Sequence, residues 1–221
     1  MTQAQPLSIS GPAGALEACL TTPTSPTGAG VAVLCHPHPQ FGGSMHDAVL
    51  QALEGALLDA GWACLRFNFR GVGASHGQFA QGVGEKEDVL AVLAAVYAGS
   101  ELGPLLSSEQ LQHPALLCGY SFGAAMAWQA QLSEPRALRA LWLVAPPLSA
   151  MNLAIGDPST RLHLFAGSQD SYCLPADAGA WAKALPAPAQ LHVIDGADHF
   201  FSGQHAALAN AAQDALTVLG Q

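Results

Sequence analysis

Basic side chains are scarce in this sequence. Lysine and arginine together number 7, against 16 aspartates and glutamates, and the formal net charge is -9. Because this balance repels polyanions, nucleic acids and acidic membrane surfaces are poor candidates as partners. Apolar runs that approach the roughly 18 residues of a membrane span are also missing, and the polar residues 1–6 do not resemble a secretory signal. These absences favour a soluble acidic protein of the cytoplasm.

Paired cysteines are missing as well. The cysteines are odd in number, include no Cys-x-x-Cys pair, and mostly lie in or beside apolar runs: Cys19, Cys35, Cys64, Cys118 and Cys173. We therefore expect reduced, mostly buried thiols of a reducing compartment.

Short apolar runs alternate along the chain with segments of helical spacing. Hydrophobic residues make up 50% of the sequence and charged residues only 10%, which suits a parallel sheet covered by helices. Strands are predicted at residues 7–9, 16–20, 31–35, 63–67, 115–118, 138–144, 161–166 and 191–194, the first two as a hairpin. Helices are predicted at residues 45–57, 89–97, 122–133, 175–185 and 204–219, and residues 21–30 are predicted to form a surface loop. The alternation predicts one α/β domain over residues 1–221, with a mostly parallel sheet of about eight strands and helices on both faces.

Residues 119–123 read Gly-Tyr-Ser-Phe-Gly, the G-x-S-x-G pattern. An apolar strand leads into the pattern and a helix rich in small residues follows it, which is the context of a nucleophile elbow. Such a sharp turn strains the middle residue and crowds its two neighbours, which explains the flanking glycines. We expect the hydroxyl of Ser121 to project from the turn as the nucleophile. The N–H of Phe122 opens the helix beside it and is a candidate oxyanion donor.

A serine nucleophile needs a histidine base, and the histidine needs a carboxylate that orients it. His199 lies between the last predicted strand and the last predicted helix, at the same edge of the sheet as Ser121. Other histidines fall at or within strands or in the last helix, and His76 precedes the nucleophile in a glycine-rich loop. Asp170 follows the predicted strand 161–166 in the turn Gly-Ser-Gln-Asp, so it also lies at a strand end.

Two other aspartates are alternatives for the acid. Asp198 adjoins the histidine in the chain and would struggle to reach back to its ring. Asp195 is available only if the loop curls tightly. The chain order Ser121, Asp170, His199 is the order expected of a hydrolase with a nucleophile elbow, which favours Asp170.

The loop after strand 31–35 reads His-Pro-His-Pro-Gln-Phe-Gly-Gly. A hydrolase takes its second oxyanion donor from the backbone of a loop at this position. The two prolines have no N–H, so the donor must be His38, Gln40 or Phe41. The residues alone do not choose among these three.

Two cofactor interpretations are disfavoured. His36, His38 and His46 suggest zinc, but no carboxylate–histidine motif accompanies them and prolines stiffen their loop. The glycines of residues 71–77 suggest a phosphate loop, but neither a Gly-Lys-Ser/Thr sequence nor a dinucleotide fingerprint is present. We expect Asn68 and Arg70 to organise this loop, and we expect neither a metal nor another cofactor.

Taken together in order, the motifs HPHPQFGG, RFNFRGVGASHG, GYSFG, GSQD and GADHFF resemble the small α/β-hydrolases without a lid. The resemblance covers roughly residues 30–205 and is to the dienelactone-hydrolase-like group, more narrowly to the bacterial predicted α/β-hydrolases with a His-Pro-His-Pro loop. It implies the α/β-hydrolase fold, the triad and serine hydrolase chemistry. Its His-Gly-x pattern would put the second oxyanion donor at His38 or just beyond. Dienelactone hydrolases use a cysteine nucleophile, so Ser121 argues against that activity.

Only residues 145–160 separate the strand after the nucleophile helix from the next strand. This length is too short for a cap domain, so an open site for small or exposed acyl groups is expected. The aromatic residues near the motifs are candidate apolar walls of that site: Phe41, Tyr120, Phe122, Phe200 and Phe201.

The leading hypothesis is a carboxylesterase that acts on a small-molecule ester through an acyl-enzyme. Thioesters, lactones or short peptides are alternative substrates for the same triad, and an acyltransferase is an alternative reaction. A binding protein that keeps the fold without catalysis is a further alternative. A homodimer is expected only because dimers are common.

Overall fold

The computed structural model describes residues 3–25, 29–99, 101–187 and 189–219. Its strands are β1 (Gln3–Gly11), β2 (Gly14–Thr22), β3 (Val31–Cys35), β4 (Ala63–Phe67), β5 (Leu116–Tyr120), β6 (Ala140–Val144), β7 (Leu162–Gly167) and β8 (Ala189–Ile194). Its helices are α1 (Ala48–Asp59), α2 (Val83–Ala98), α3 (Ser108–Gln112), α4 (Phe122–Ser133), α5 (Pro175–Ala184) and α6 (His205–Leu219), and a single 3-10 turn spans Pro39–Phe41.

The strands form one sheet in the order β1-β2-β4-β3-β5-β6-β7-β8. β1 and β2 form an antiparallel hairpin, β2 pairs antiparallel with β4, and the remaining pairs are parallel. The predicted α/β-hydrolase architecture is thus confirmed. The hairpin is longer than predicted, and the loop predicted at 21–30 begins too early because β2 continues through Thr22. Residues 26–28 of that loop lie outside the described residues.

Helices cover both faces of the sheet. Along β3, Val33 belongs to the core beneath α2 and α4, while Leu34 belongs to the core beneath α1 and α6. Successive side chains of a strand point to opposite faces, so a strand covered on both sides must be apolar at every position. This explains the continuous apolar runs that mark β3, β5 and β6.

One short helix escaped prediction. Before α3 the hydroxyl of Ser107 accepts a hydrogen bond from the N–H of Gln110 (3.2 Å), and Oε1 of Gln110 accepts a hydrogen bond from the N–H of Ser107 (3.1 Å). This reciprocal cap holds a helix of five residues that buries only Gln110, so no apolar periodicity announces it.

Residues 145–161 contain no helix or strand and include a turn at residues 148–150. The indole N–H groups of Trp128 and Trp181 donate to the carbonyls of Ala154 (2.9 Å) and Leu153 (3.0 Å), which hold this segment against α4 and α5. The predicted absence of a cap agrees with this path, because the segment is bound down rather than raised over the sheet.

All five cysteines are free thiols, and four of them are buried, as predicted. Among the described residues, no helix is long and apolar enough to cross a membrane.

A buried ion pair fastens the loop after β4 to α2. The guanidinium of Arg70 donates to Asp88 through Nη2 (2.7 Å) and Nε (3.0 Å), and the backbone N–H of Arg70 donates to the same carboxylate (3.0 Å). The Asp88 carboxylate is fully buried and the Arg70 side chain is 12% exposed. The expected role of Arg70 in organising this loop is therefore confirmed.

We predict that Asp88→Ala lowers the free energy of unfolding by about 3–5 kcal/mol, because it leaves a buried guanidinium without its counter-charge. Urea denaturation of the purified variant measures the change. Glu87→Ala is the matched control, since the Glu87 side chain is 46% exposed, pairs with the partly exposed Lys86 and reaches Arg70 only through its charge. A surface pair of that kind contributes at most about 1 kcal/mol. Equal losses in the two variants would contradict the structural role of the Arg70–Asp88 pair.

The buried His36 joins two loops at the carboxyl edge of the sheet. Its Nε2 accepts a hydrogen bond from the N–H of Phe69 (3.0 Å), and its Nδ1–H donates to the carbonyl of Pro37 (2.6 Å). Burial lowers the pKa of His36 to about 4. The neutral ring is therefore the form that the fold requires, and one nitrogen must remain an acceptor.

Because the folded state disfavours the charged ring, the unfolded chain binds the proton first as the pH falls below about 6.5. Stability that is complete above about pH 6.5 is then lost as the pH falls toward the folded pKa of about 4. Burial also lowers the pKa of His163 to about 4, so this histidine acts in the same window. We predict a loss of up to about 1.4 kcal/mol per pH unit from each group.

Urea unfolding at several pH values between about 6.5 and about 5 measures this slope. In His36→Gln the slope should become shallower by the share of one group, whatever the absolute stability of the variant. An unchanged slope would refute the assignment.

Candidate active site

Three loops at the carboxyl edge of the sheet bring together the residues predicted to act as nucleophile, acid and base. Ser121 follows β5, Asp170 follows β7 and His199 follows β8. In a parallel sheet these strand ends share one edge, which is where ligands bind in α/β folds. The predicted placement of all three residues at strand ends is therefore correct.

The turn at Ser121 is strained in the manner that its glycines predict. Ser121 has φ 52° and ψ -116°, a backbone conformation that side-chain-bearing residues rarely adopt. A Cβ atom at Gly119 would collide with the carbonyl of Gly123, and one at Gly123 would collide with the carbonyls of Cys35 and His36. Glycine at both positions allows the strand, the helix and the neighbouring loop to approach within backbone contact.

A continuous hydrogen-bonded chain links the three side chains. The Oγ atom of Ser121 lies 3.0 Å from Nε2 of His199, and Nδ1 of His199 lies 2.9 Å from Oδ2 of Asp170. A carboxylate only accepts hydrogen bonds, so Nδ1 carries the proton and Nε2 is left to accept from the serine hydroxyl. His199 is 7% exposed and Asp170 is fully buried.

Asp170 is held by its own turn, whereas the alternative aspartates serve elsewhere. Its Oδ1 accepts from the N–H groups of Tyr172 (2.8 Å) and Cys173 (2.9 Å). Asp195 accepts from the hydroxyl of Ser168 (3.3 Å), and Asp198 accepts from the N–H of Phe200 (3.0 Å) within its own loop. Of these three aspartates, only Asp170 is hydrogen-bonded to the His199 ring.

Tyr120 holds the loop that carries His199 through a hydrogen bond to its backbone. The phenol of Tyr120 donates to the carbonyl of His199 (3.0 Å), and its ring is 2% exposed. Burial, followed by the charges of Asp47, Asp170 and Asp198, raises the pKa of this phenol, which keeps it protonated and able to donate. Tyr120 was predicted only as an apolar wall, and its support of the histidine was missed.

The three candidate donors after β3 differ in what their N–H groups do. The N–H of Gln40 donates to Nδ1 of His38 (3.2 Å), and that of Phe41 donates to the carbonyl of His38 (3.0 Å). Neither the N–H of His38 nor that of Phe122 has an acceptor within the described part of the chain. Both residues line the cleft together with Ser121.

The cleft has a volume of about 740 Å³, and Ser121 and His199 are among its lining residues. The predicted walls Phe41, Tyr120, Phe122 and Phe200 line it. Phe201 does not, so its prediction as a wall is wrong. Phe201 is fully buried in the core beneath α1 and α6, and its φ of 52° lies in the left-handed region.

Several lining residues were missed because no motif marks them. They come from four separate loops: Asp47, Phe79, Gln81, Pro147, Ala150, Met151 and Tyr172. Only Tyr172 carried a usable signal, because it lies two residues beyond Asp170 in the same turn.

His38 faces aromatic rings in the cleft rather than other metal-binding side chains. Its ring lies 4.6 Å from that of Phe41, 5.0 Å from that of Phe79 and 4.9 Å from that of Phe122, measured between centroids. In the described residues, no three histidine, cysteine, aspartate or glutamate side chains are grouped as metal ligands.

Comparisons with known proteins identify a family and several similar structures. The model of the family described as serine aminopeptidase, S33, matches residues 29–160. An uncharacterised protein of Rickettsia prowazekii is 31% identical over 96% of this chain and 88% of its own length. Among solved structures, an α/β serine hydrolase homologue from Coxiella burnetii is 32% identical, with a TM-score of 0.84 and coverage of 98% of both chains.

A Xanthomonas campestris protein described as an α/β serine hydrolase without a lid is 29% identical, with a TM-score of 0.84 and coverage of 98% of this chain and 95% of its own. These likenesses confirm the predicted resemblance to hydrolases without a lid. The chain belongs to the serine aminopeptidase S33 family and is a serine hydrolase of the α/β fold.

Proposed function

We propose that this protein is a carboxylesterase of the cytoplasm that hydrolyses small or exposed esters through an acyl-enzyme. The observation that carries the proposal is the chain of hydrogen bonds from Ser121 Oγ through the His199 ring to Asp170 (3.0 Å and 2.9 Å), at the floor of an open cleft. A nucleophile, a base and an orienting acid in this relation are what acyl transfer requires.

In the proposed reaction, Nε2 of His199 accepts the hydroxyl proton as Oγ of Ser121 attacks the ester carbonyl. Asp170 holds the ring in the correct tautomer and stabilises its positive charge. His199 then gives the proton to the departing alcohol, and the acyl group remains on Ser121. Water attacks the acyl-enzyme by the same route and releases the acid.

The backbone N–H groups of His38 and Phe122 are the proposed oxyanion donors. Both lack an acceptor within the described residues, whereas the N–H groups of Gln40 and Phe41 are occupied. Phe122 is also the first residue of α4, so the positive end of the helix dipole supports its donor. Each such donor contributes about 3–4 kcal/mol to the stabilisation of a transition state.

The open cleft supports small or exposed acyl groups, since no cap closes it among the described residues. Thioesters, lactones and short peptides are accessible to the same chemistry, as is transfer to an alcohol or thiol in place of water. A panel that pairs activated esters of increasing acyl length with the matching thioesters and amides separates these substrates, and product analysis with competing alcohols separates hydrolysis from transfer.

We predict that Ser121→Ala reduces ester turnover by about a million-fold and abolishes labelling by a fluorophosphonate probe, because the attacking oxygen is lost. Ser10→Ala is the control, since Ser10 is exposed on β1 and does not line the cleft. Labelling of the Ser121→Ala variant at the native rate would refute the proposal. A native protein that resists labelling would instead favour a binding protein without catalysis.

Substitution of each aspartate in turn tests whether Asp170 or Asp195 is the acid of the triad. We predict that Asp170→Asn lowers kcat by about ten-thousand-fold, because the amide favours the wrong tautomer of His199. Asp195→Asn should retain activity close to that of the native enzyme, since the Asp195 carboxylate accepts from the hydroxyl of Ser168 and, among the described residues, forms no hydrogen bond with His199. Steady-state kinetics on one activated ester measures both, and a larger loss in Asp195→Asn would overturn the assignment of the acid.

A further inference from the structure

The two sides of the cleft differ in chemistry. One side, which we call the His38 side, is formed by the His38 ring and three phenylalanine rings. The ring centroids of Phe41, Phe79 and Phe122 lie 4.6 to 5.0 Å from that of His38. Among the described lining residues, this side includes no carboxylate, lysine or arginine, although the charge of the buried Glu85 acts on His38 from behind the lining. It is suited to an uncharged, apolar part of a substrate.

The opposite side surrounds the base, and we call it the His199 side. Tyr172, Phe200 and Tyr120 have ring centroids 4.8, 5.5 and 5.8 Å from the His199 ring. Tyr172 is 47% exposed and Phe200 is 61% exposed, so both rings are accessible to a ligand in the cleft. Aromatic faces of this kind attract cations through their electron-rich centres.

A carboxylate completes the His199 side. Asp47 lines the cleft and lies close enough to Tyr120 for its charge to raise the pKa of that phenol. It is the only carboxylate among the described lining residues, which include no lysine or arginine. Asp47 forms no ion pair in the described part of the chain. Burial raises the pKa of Asp47, while the N–H groups of Val49 and Leu50 and then the charge of His205 act to lower it.

We propose that the His199 side binds a cationic group, and that the preferred substrates are esters whose alcohol portion carries an ammonium group. This inference rests on the proposed function, because there the departing alcohol must lie against the histidine that protonates it. The charge of Asp47 and the faces of Tyr172 and Phe200 then meet the ammonium. An alcohol with a carboxylate in the same place would meet Asp47 with no basic side chain to offset the repulsion.

The expected preference is moderate. Asp47 caps α1 by accepting the N–H of Val49 (2.8 Å), so the positive end of the helix reduces the field of the carboxylate by up to about half a charge. The cleft is also open to water, which screens the interaction. We expect a preference of about tenfold in kcat/KM, the size of effect produced by a partly exposed charge pair.

Acetylthiocholine and its neutral isostere, in which a tert-butyl group replaces the trimethylammonium group, form a matched pair of probes. They share an acyl group, a leaving atom and a shape, and differ only in charge. The native enzyme should favour the cationic probe by about tenfold in kcat/KM, and this ratio should fall as salt is added. In Asp47→Asn the ratio should approach one, because the cationic probe loses its counter-charge and the neutral probe does not.

Asparagine caps a helix as well as aspartate does, so Asp47→Asn removes the charge and preserves α1. Asp59→Asn is the matched control, because Asp59 is exposed at the other end of the same helix and does not line the cleft. Its ratio should equal that of the native enzyme. Tyr172→Leu should lower the ratio in part, since it removes one aromatic face.

A native ratio near one, or a ratio that survives Asp47→Asn, would overturn the inference and leave the esterase proposal standing. So would a charge preference that is found only when the ammonium is moved to the acyl portion, as in an ester of glycine. Failure to turn over either probe, together with failure of the fluorophosphonate label, would refute the proposed function itself.

Discussion

The site depends on how closely three backbone segments approach one another at Ser121. The end of β5, the start of α4 and the loop after β3 meet with no space for a Cβ atom at Gly119 or Gly123. Strain at a residue such as Ser121 costs about 1–3 kcal/mol and persists only where the surroundings over-determine the backbone. Here β5 lies in the middle of a parallel sheet and is paired on both sides. The position of the serine hydroxyl is therefore set by the most constrained part of the fold.

The same strand also positions the histidine, from two directions. Tyr120 and Ser121 are consecutive, so their side chains leave the chain on different sides. Tyr120 bonds to the backbone of His199 while Ser121 bonds to its ring. At the end of β7, a Cβ at Gly167 would collide with the carbonyl of Ala197, so glycine is needed for the turn that carries Asp170 to lie against the loop that carries His199. Backbone contact, rather than the chemistry of the triad itself, explains why glycines recur around this site.

The sequence predicted site residues correctly where a local structural rule determines which residue can stand at a position. The elbow pattern, the apolar strands and the chain order located Ser121, Asp170 and His199, and the missing N–H of proline reduced the oxyanion donors to three candidates. Only the structure could favour His38 as the proposed donor, because the preference depends on which N–H groups are already bonded within the 3-10 turn. The residues that line the cleft were harder to predict from the sequence, since adjacent residues in a loop can face either the cleft or the core. Phe200 and Phe201 are the clearest case, with one exposed and the other fully buried.

Residues 145–161 lie against α4 and α5 rather than over the cleft, and this position affects how an acyl-enzyme is hydrolysed. Because this segment is held against α4 and α5 by two indole hydrogen bonds, nothing among the described residues rises to separate the cleft from bulk solvent. If Ser121 carries an acyl group, solvent water reaches it without any closing or opening step, and the lifetime of the intermediate is set by the chemistry of the ester bond. An alcohol or thiol could intercept the acyl group only by binding in the cleft more readily than water arrives. Partition between water and other acceptors would then depend on occupancy of the cleft rather than on the motion of a gate.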